Sequence, residues 1–209
     1  MISMANYELE TELRSSGHSI IAGVDEVGRG PWAGPVTACA VILDPDNIPD
    51  GLNDSKKLTA KRREDLFDQI MAAAQVSCVH VSVEEIDQIN ILQATFRAME
   101  RAVAGLPVPD HILIDGNKIP PNLPSPASAI IKGDGKSVSI AAASIIAKVT
   151  RDRLMLDLSN SHPGYGWETN AGYGTKMHQS GLLNHGVTPH HRRSFKPIHN
   201  ILYSTSDAD

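Results

Sequence analysis

The stretch His18–Leu43, HSIIAGVDEVGRGPWAGPVTACAVIL, decides how the chain folds. HSIIAGVDEVG is apolar, rich in β-forming residues and closes on glycine, which is the pattern of a buried strand. GRGPWAGP is turn chemistry, because Gly and Pro punctuate regular structure. PVTACAVIL then resumes as a second strand, and the two together predict a β-hairpin.

Outward from this hairpin, DPDNIPDGLND is a loop, and TAKRREDLFDQIMAAA puts Leu66, Ile70 and Met71 on one side of a helix capped by Thr59. VSCVHVSV alternates as a strand. Residues 83–104 read as helix, with a break near Asn90. HILIDG and ASAIIKGD are short strands, and SIAAASIIAKVTRDRLMLDL is the strongest helix in the chain. Its Ala141, Ala142, Ala143, Ser144 and Ala147 allow close packing. A short helix is expected near Thr175–Asn184. The order β-β-α-β-α-β-β-α predicts an α/β fold with a mixed sheet. The sheet fills residues 18–160, residues 1–17 form an N-terminal extension, and residues 161–209 form a helical and irregular cap.

A chain of 209 residues, 41% of them apolar and 21% charged, supports a real core and excludes wholesale disorder. No apolar run approaches the ~20 residues that span a bilayer, so no membrane association is expected. The start, MISMANYELE, lacks a secretory pattern. Two cysteines, Cys39 and Cys78, are too few for a disulfide framework or a zinc site, and Cys39 reads as a small core hydrophobe. A reducing, cytoplasmic setting is expected. The net charge of -5 hides an asymmetry: residues 1–110 hold 9 Lys and Arg against 17 Asp and Glu, and residues 111–209 hold 10 against 7. A local basic surface for phosphates is therefore compatible with overall acidity.

Three strands deliver acids at their C-terminal ends: Asp25 with Glu26, Asp115, and Asp134. An acid at the end of a buried strand is costly unless it is paired or binds a metal. Four acids at one sheet edge would repel, and a divalent cation is the simplest partner. Oxygen donors without clustered Cys or His favour Mg²⁺ or Mn²⁺ over zinc. The plain alternative is that each acid caps a turn or pairs with a lysine. Nucleotide-cofactor motifs fail: GDGKS has Ile130 where a P-loop needs glycine, and GRGPWAG has its third glycine at 34 rather than 33.

GVDEVGRGPWAGPV, NDSKKL, ILIDGN, KGDGKSVSIAAASIIAKVTRDRLM and AGYGTKMH occur in this order. Together they resemble bacterial ribonuclease HII, the type 2 RNase H, over residues 18–198. The resemblance implies an RNase H-like mixed sheet flanked by helices, with a C-terminal extension. It also implies an endoribonuclease that cleaves the RNA strand of RNA–DNA hybrids and nicks duplex DNA 5′ of embedded ribonucleotides, removing misincorporated ones. By motif, Asp25, Glu26, Asp115 and Asp134 resemble the catalytic, metal-holding acids of a two-metal site for Mn²⁺ or Mg²⁺. Asp152 reads as structural. Gly28-Arg29-Gly30 resembles the ribonucleotide reader, Ser55 and Lys56 resemble phosphate contacts, and Tyr173 resembles the tyrosine that stacks on the following sugar. Ala171 stands where many members carry Lys. Lys148, Lys176, His178, Arg192 and Arg193 are further candidates to line the strand path, and His190-His191 does not read as a metal pair.

In-line hydrolysis would leave a 5′-phosphate and a 3′-hydroxyl, with the 2′-OH read rather than used as nucleophile. The partners implied are RNA–DNA hybrid and ribonucleotide-containing duplex. A monomer is expected, and the tail STSDAD carries no sliding-clamp-binding peptide. The competing readings are another metal-dependent nuclease or phosphatase on the same fold, and a non-catalytic nucleic-acid-binding module.

Overall fold

The computed structural model describes residues 4–203, so the STSDAD reading at 204–209 lies outside the described residues. In chain order the elements are α1 (Glu8–Ser15), β1 (Ile21–Val27), β2 (Val36–Leu43), α2 (Ala60–Ala73), β3 (Ala74–Val81), α3 (Val83–Ala104), β4 (His111–Asp115), β5 (Ala127–Ile130), α4 (Val138–Ser161), α5 (Trp167–Asn170), α6 (Lys176–His185) and α7 (Lys196–Tyr203). The five strands form one sheet in the order β3-β2-β1-β4-β5. β1 and β2 pair antiparallel from Ala22 opposite Ile42 to Val27 opposite Thr37, as the hairpin reading predicts. β4 runs parallel to β1, and β5 runs parallel to β4. The sheet is thus mixed, in an α/β fold.

The described chain forms two compact units that interleave in sequence. The first comprises residues up to Val27, Thr37–Val79 and Phe96–Val149; the second comprises Gly28–Val36, His80–Thr95 and residues from Thr150 onward.

In the first unit, Cys39, Val41 and Leu43 of β2 pack with Leu66 and Ile70 of α2 and with Ile145 and Ile146 of α4. Each fully buried aliphatic side chain there contributes roughly 2 kcal/mol. The N-terminal half of α4 is buried on nearly every side, and Ala141, Ala142 and Ala143 are wholly buried, as befits a helix enclosed by other elements. α2 begins where Thr59 accepts a hydrogen bond from the Arg62 amide. The charged sequence of α1 conceals a helix: Leu9 and Leu13 form its only apolar stripe, and they cover Ile21, Leu113 and Ile140. Its buried Glu10 accepts from Ser137 Oγ (2.5 Å) and the Ser139 amide (3.0 Å), and Ser137 Oγ accepts from the Ile140 amide, so the start of α4 is capped twice over.

The cysteines correct the sequence reading. Cys39 is buried, as expected, but it is not a plain hydrophobe: a disulfide joins it to Cys78 on the neighbouring strand β3. Strand adjacency brings together two residues 39 positions apart, which no local pattern announces.

In the second unit, the break near Asn90 is real. Asn90 has φ +68°, and its Oδ1 accepts from the amides of Leu92 and Gln93, ending one helical stretch and capping the next. The core of this unit is Ala33, Met155, Tyr165, Trp167, Leu182 and Ile198.

The approach of α4 to β1 sets a strict demand at Gly23. A Cβ there would lie 2.1 Å from the Ser139 carbonyl carbon and 2.5 Å from the Ile140 amide nitrogen, both backbone atoms that have no easy way to move. Gly23→Ala should therefore destabilise the protein by about 3 kcal/mol. Denaturant titration checks this, and a loss below about 1 kcal/mol would mean that α4 yields at this point.

Candidate active site

Parallel pairing brings two acids to the same level. Val24 of β1 aligns with Ile114 of β4, so the next residues, Asp25 within β1 and Asp115 at the end of β4, lie side by side where the parallel pairing stops. Asp115 in turn aligns with Ile130 of β5. Beyond β5 the chain turns through Lys132, at φ +56°, into a single 3₁₀ turn, Gly133–Gly135, that carries Asp134. The Gly133 amide donates to Asp115 Oδ1 at 2.7 Å and ties this turn to the end of β4. Asp25 is 6% exposed, and its Oδ1 accepts from the Glu26 amide at 2.7 Å.

The electrostatics carry the mark of crowding. Burial, and then the negative charges of Glu26, Asp115 and Asp134, push the Asp25 carboxyl well above the usual carboxylate range. Burial, Asp115 and Asp54 push Asp134 up to about 6, against the pull of Lys56. Asp54 is an acid the sequence reading missed. It hydrogen-bonds Asp134 and also caps a 3₁₀ turn, Ser55–Lys57, by accepting from the Lys56 amide. In the sequence it is simply one more polar residue of a loop. All four sequence-selected acids thus belong to one unit and to one end of the sheet, and Asp25 feels the charge of the other three.

Among the described residues, no three His, Cys, Asp or Glu side chains close on a point as a ready cage. An open set of hard oxygen donors suits Mg²⁺ or Mn²⁺. Mg²⁺ in particular keeps several waters and is held by one or two carboxylates together with substrate phosphates. Ser55 is buried, with its hydroxyl accepting from Ser144 Oγ at 2.8 Å, whereas Lys56 is exposed.

The other expected substrate residues lie in the second unit. Gly28 has φ +89°, a conformation that favours glycine, and a Cβ on it would meet Arg151 Nε at 2.2 Å. Arg29 and Gly30 are exposed. The turn is held from within by two buried arginines. Arg192 donates to the carbonyls of Gly28 (2.5 Å), Arg29 (2.9 Å) and Gly34 (2.9 Å). Arg151 donates to those of Pro35 (2.9 Å), Ala33 (3.2 Å) and Ala171 (2.9 Å). Burial lowers their pKa values to about 9 and about 10, which leaves both cationic at neutral pH. Arg192 and His178 are therefore not surface contacts, as the sequence suggests. Both are wholly buried, and Arg192 is engaged with backbone carbonyls. Tyr173 is half exposed, and a Cβ on Gly30 would sit 3.2 Å from its ring. Tyr165, by contrast, is core: its hydroxyl donates to the Gly186 carbonyl and its ring stacks on Trp167.

A carboxyl whose folded pKa lies above its unfolded value near 3.8 binds protons more tightly in the folded chain. The stability that Asp134 contributes is thus complete below about pH 4 and lost as pH rises through about 6. The melting temperature of metal-free protein should fall across this window, and Asp134→Asn should flatten the fall and raise the value at pH 7.5. Parallel melting curves from pH 4 to 7.5 test this, and an identical slope in the variant would exclude it.

The profile of the family described as Ribonuclease HII matches residues 22–198. The Ribonuclease HII of Ruegeria pomeroyi is 67% identical over 203 residues, covering 97% of this chain and 87% of that protein. Among solved structures, ribonuclease H2 from Pyrococcus horikoshii superposes with a TM-score of 0.76 at 28% identity, covering 91% of this chain and all of the other. A Bst-RNase HIII solved in complex with Mn²⁺ shares the fold, with a TM-score of 0.73 at 19% identity, covering 90% of this chain and 71% of the other. The chain belongs to the ribonuclease HII family, and is accordingly a ribonuclease H-type hydrolase that acts on the RNA of RNA–DNA hybrids.

Proposed function

We propose that the chain cuts on the 5′ side of ribonucleotides, including single ones embedded in duplex DNA, and leaves a 3′-hydroxyl and a 5′-phosphate. The observation that supports this reading is the cluster of Asp25, Glu26, Asp115 and Asp134 at one end of the sheet, with the pKa values of Asp25 and Asp134 raised by burial and mutual repulsion. These four acids would hold two divalent ions, Mn²⁺ or Mg²⁺. When bound, such ions supply a water of lowered pKa and a clamp on the charge that develops at the leaving oxygen.

The protein's own groups do the rest. Gly133 holds the Asp115 carboxylate in one orientation through its amide. Lys56, exposed and close enough to Asp134 to lower its pKa, is placed to meet a backbone phosphate, with the buried Ser55 fixing the turn below it. Gly28, Arg29 and Gly30 present backbone to a ribose, where the 2′-OH distinguishes RNA from DNA. Arg29 adds a phosphate contact. The Tyr173 ring stacks on the deoxyribose that follows, and so favours an RNA-to-DNA junction. Action as a monomer in the cytoplasm goes with this reading.

The test is cleavage of a labelled duplex with one ribonucleotide, in Mg²⁺, Mn²⁺ or EDTA. The expected product is a metal-dependent nick with a 3′-hydroxyl on the upstream fragment. Asp25→Asn should lose more than about tenfold in rate while keeping the fold, since even the groups behind metal ligands carry about 10- to 100-fold. Cleavage confined to long hybrids would remove the junction role of Gly28, Arg29, Gly30 and Tyr173 and leave that of the acids.

A further inference from the structure

Behind Tyr173 lie two wholly buried histidines, His178 on α6 and His191 in the segment that follows. Their hydrogen bonds run in one direction. His178 Nδ1 lies 3.0 Å from the Tyr173 carbonyl oxygen. A carbonyl only accepts, so this nitrogen carries the proton and Nε2 is bare. Two groups point at that bare nitrogen: the Trp167 indole N–H at 3.2 Å and His191 Nε2 at 3.0 Å. At the far end, the Thr188 amide, which only donates, meets His191 Nδ1 at 3.0 Å, so the His191 proton sits on Nε2. The chain is therefore Thr188 N–H to His191 to His178 to Tyr173 C=O. Backbone groups at its two ends set both tautomers.

The chain holds only with both rings uncharged, because a second proton on either ring would face a donor. The charged or titratable neighbours are Tyr165, whose ring packs on both, and His162 and His190, with His185 on the Tyr165 ring, Arg192 next to His191 in sequence and Glu84 facing His190. Burial lowers the pKa of His178, and burial together with His178 lowers that of His191 to about 4, which agrees with a neutral pair. The anchored strip is the one that carries the exposed ring. Arg151 holds the Ala171 carbonyl, the Asn170 side chain accepts from the Gly172 amide at 2.9 Å, and the Thr175 amide shares the Tyr173 carbonyl at 2.8 Å.

We infer that His178, fixed in its Nδ1–H tautomer by the Tyr173 carbonyl and backed at Nε2 by His191, is a positioning residue that aims the Tyr173 ring at the sugar after the ribonucleotide. This rests on the stacking role proposed for Tyr173.

The test compares kcat/KM on a single-ribonucleotide duplex with that on a long RNA–DNA hybrid. His178→Ala should lower the first about tenfold more than the second, chiefly through KM, the scale expected when a binding group shifts by a fraction of an ångström. His178→Asn keeps an N–H donor at the Nδ1 position and should restore the ratio. Loss of the ratio in both variants would mean that packing alone matters, and an unchanged ratio in His178→Ala would overturn the assignment. Tyr173→Ala separates the two readings: a ratio unchanged in that variant removes the stacking role itself. Nitrogen-15 spectra of the unaltered protein give a second readout that requires no variant to fold. They should show the Nδ1–H tautomer at His178 and the Nε2–H tautomer at His191, and the reverse assignment refutes the chain.

Discussion

Repulsion among carboxylates at the ends of parallel strands is the constraint around which the first unit is built. The pairing of β1 with β4 places Asp25 and Asp115 side by side, and burial then denies Asp25 the water that would screen its charge. Nothing in folding rewards this arrangement. It persists because the rest of the unit over-determines it: the close seating of α4 on Gly23, the apolar enclosure of α4, and the amide of Gly133 holding Asp115. The fold accepts like charges at one corner and spends its packing on keeping them there.

The second unit solves a different problem. Its exposed groups, Arg29, Gly30 and Tyr173, must be held still without a large core of their own. Buried cations do this through backbone carbonyls. A guanidinium is planar with fixed N–H directions, so each arginine sets the relative position of three carbonyls at once, which a lysine ammonium on a flexible stem does not match. Arg151 reaches Ala33, Pro35 and Ala171, and so ties the turn that follows Gly30 to the turn that precedes Tyr173. The two elements expected to read sugar are thereby braced by one side chain.

Strands and acids were legible because burial and chemistry leave local patterns. IIAGV before Asp25 and ILI before Asp115 announce both the strand and the cost of its terminal acid. Asn90 was legible because an asparagine inside a helical run often caps. What was not legible depends on distant partners. Arg192 and Arg193 are adjacent in a basic run, yet one is wholly buried and the other exposed, and only the carbonyls of Gly28, Arg29 and Gly34 account for the difference. His178 looked like a surface base for the same reason. Asp54, Glu10 and the Cys39–Cys78 pair were hidden because their partners lie 39 to 129 residues away.

The seating of α1 has a bearing on how the protein is handled. Glu10 caps the start of α4, and Asn6 pairs by backbone with Lys136 and Val138, two to four residues past Asp134. The first turn of α4 and the acid-bearing turn before it are therefore braced by a segment whose charged sequence invites trimming. Removing it to shorten an expression clone would strip a buried cap from the longest helix.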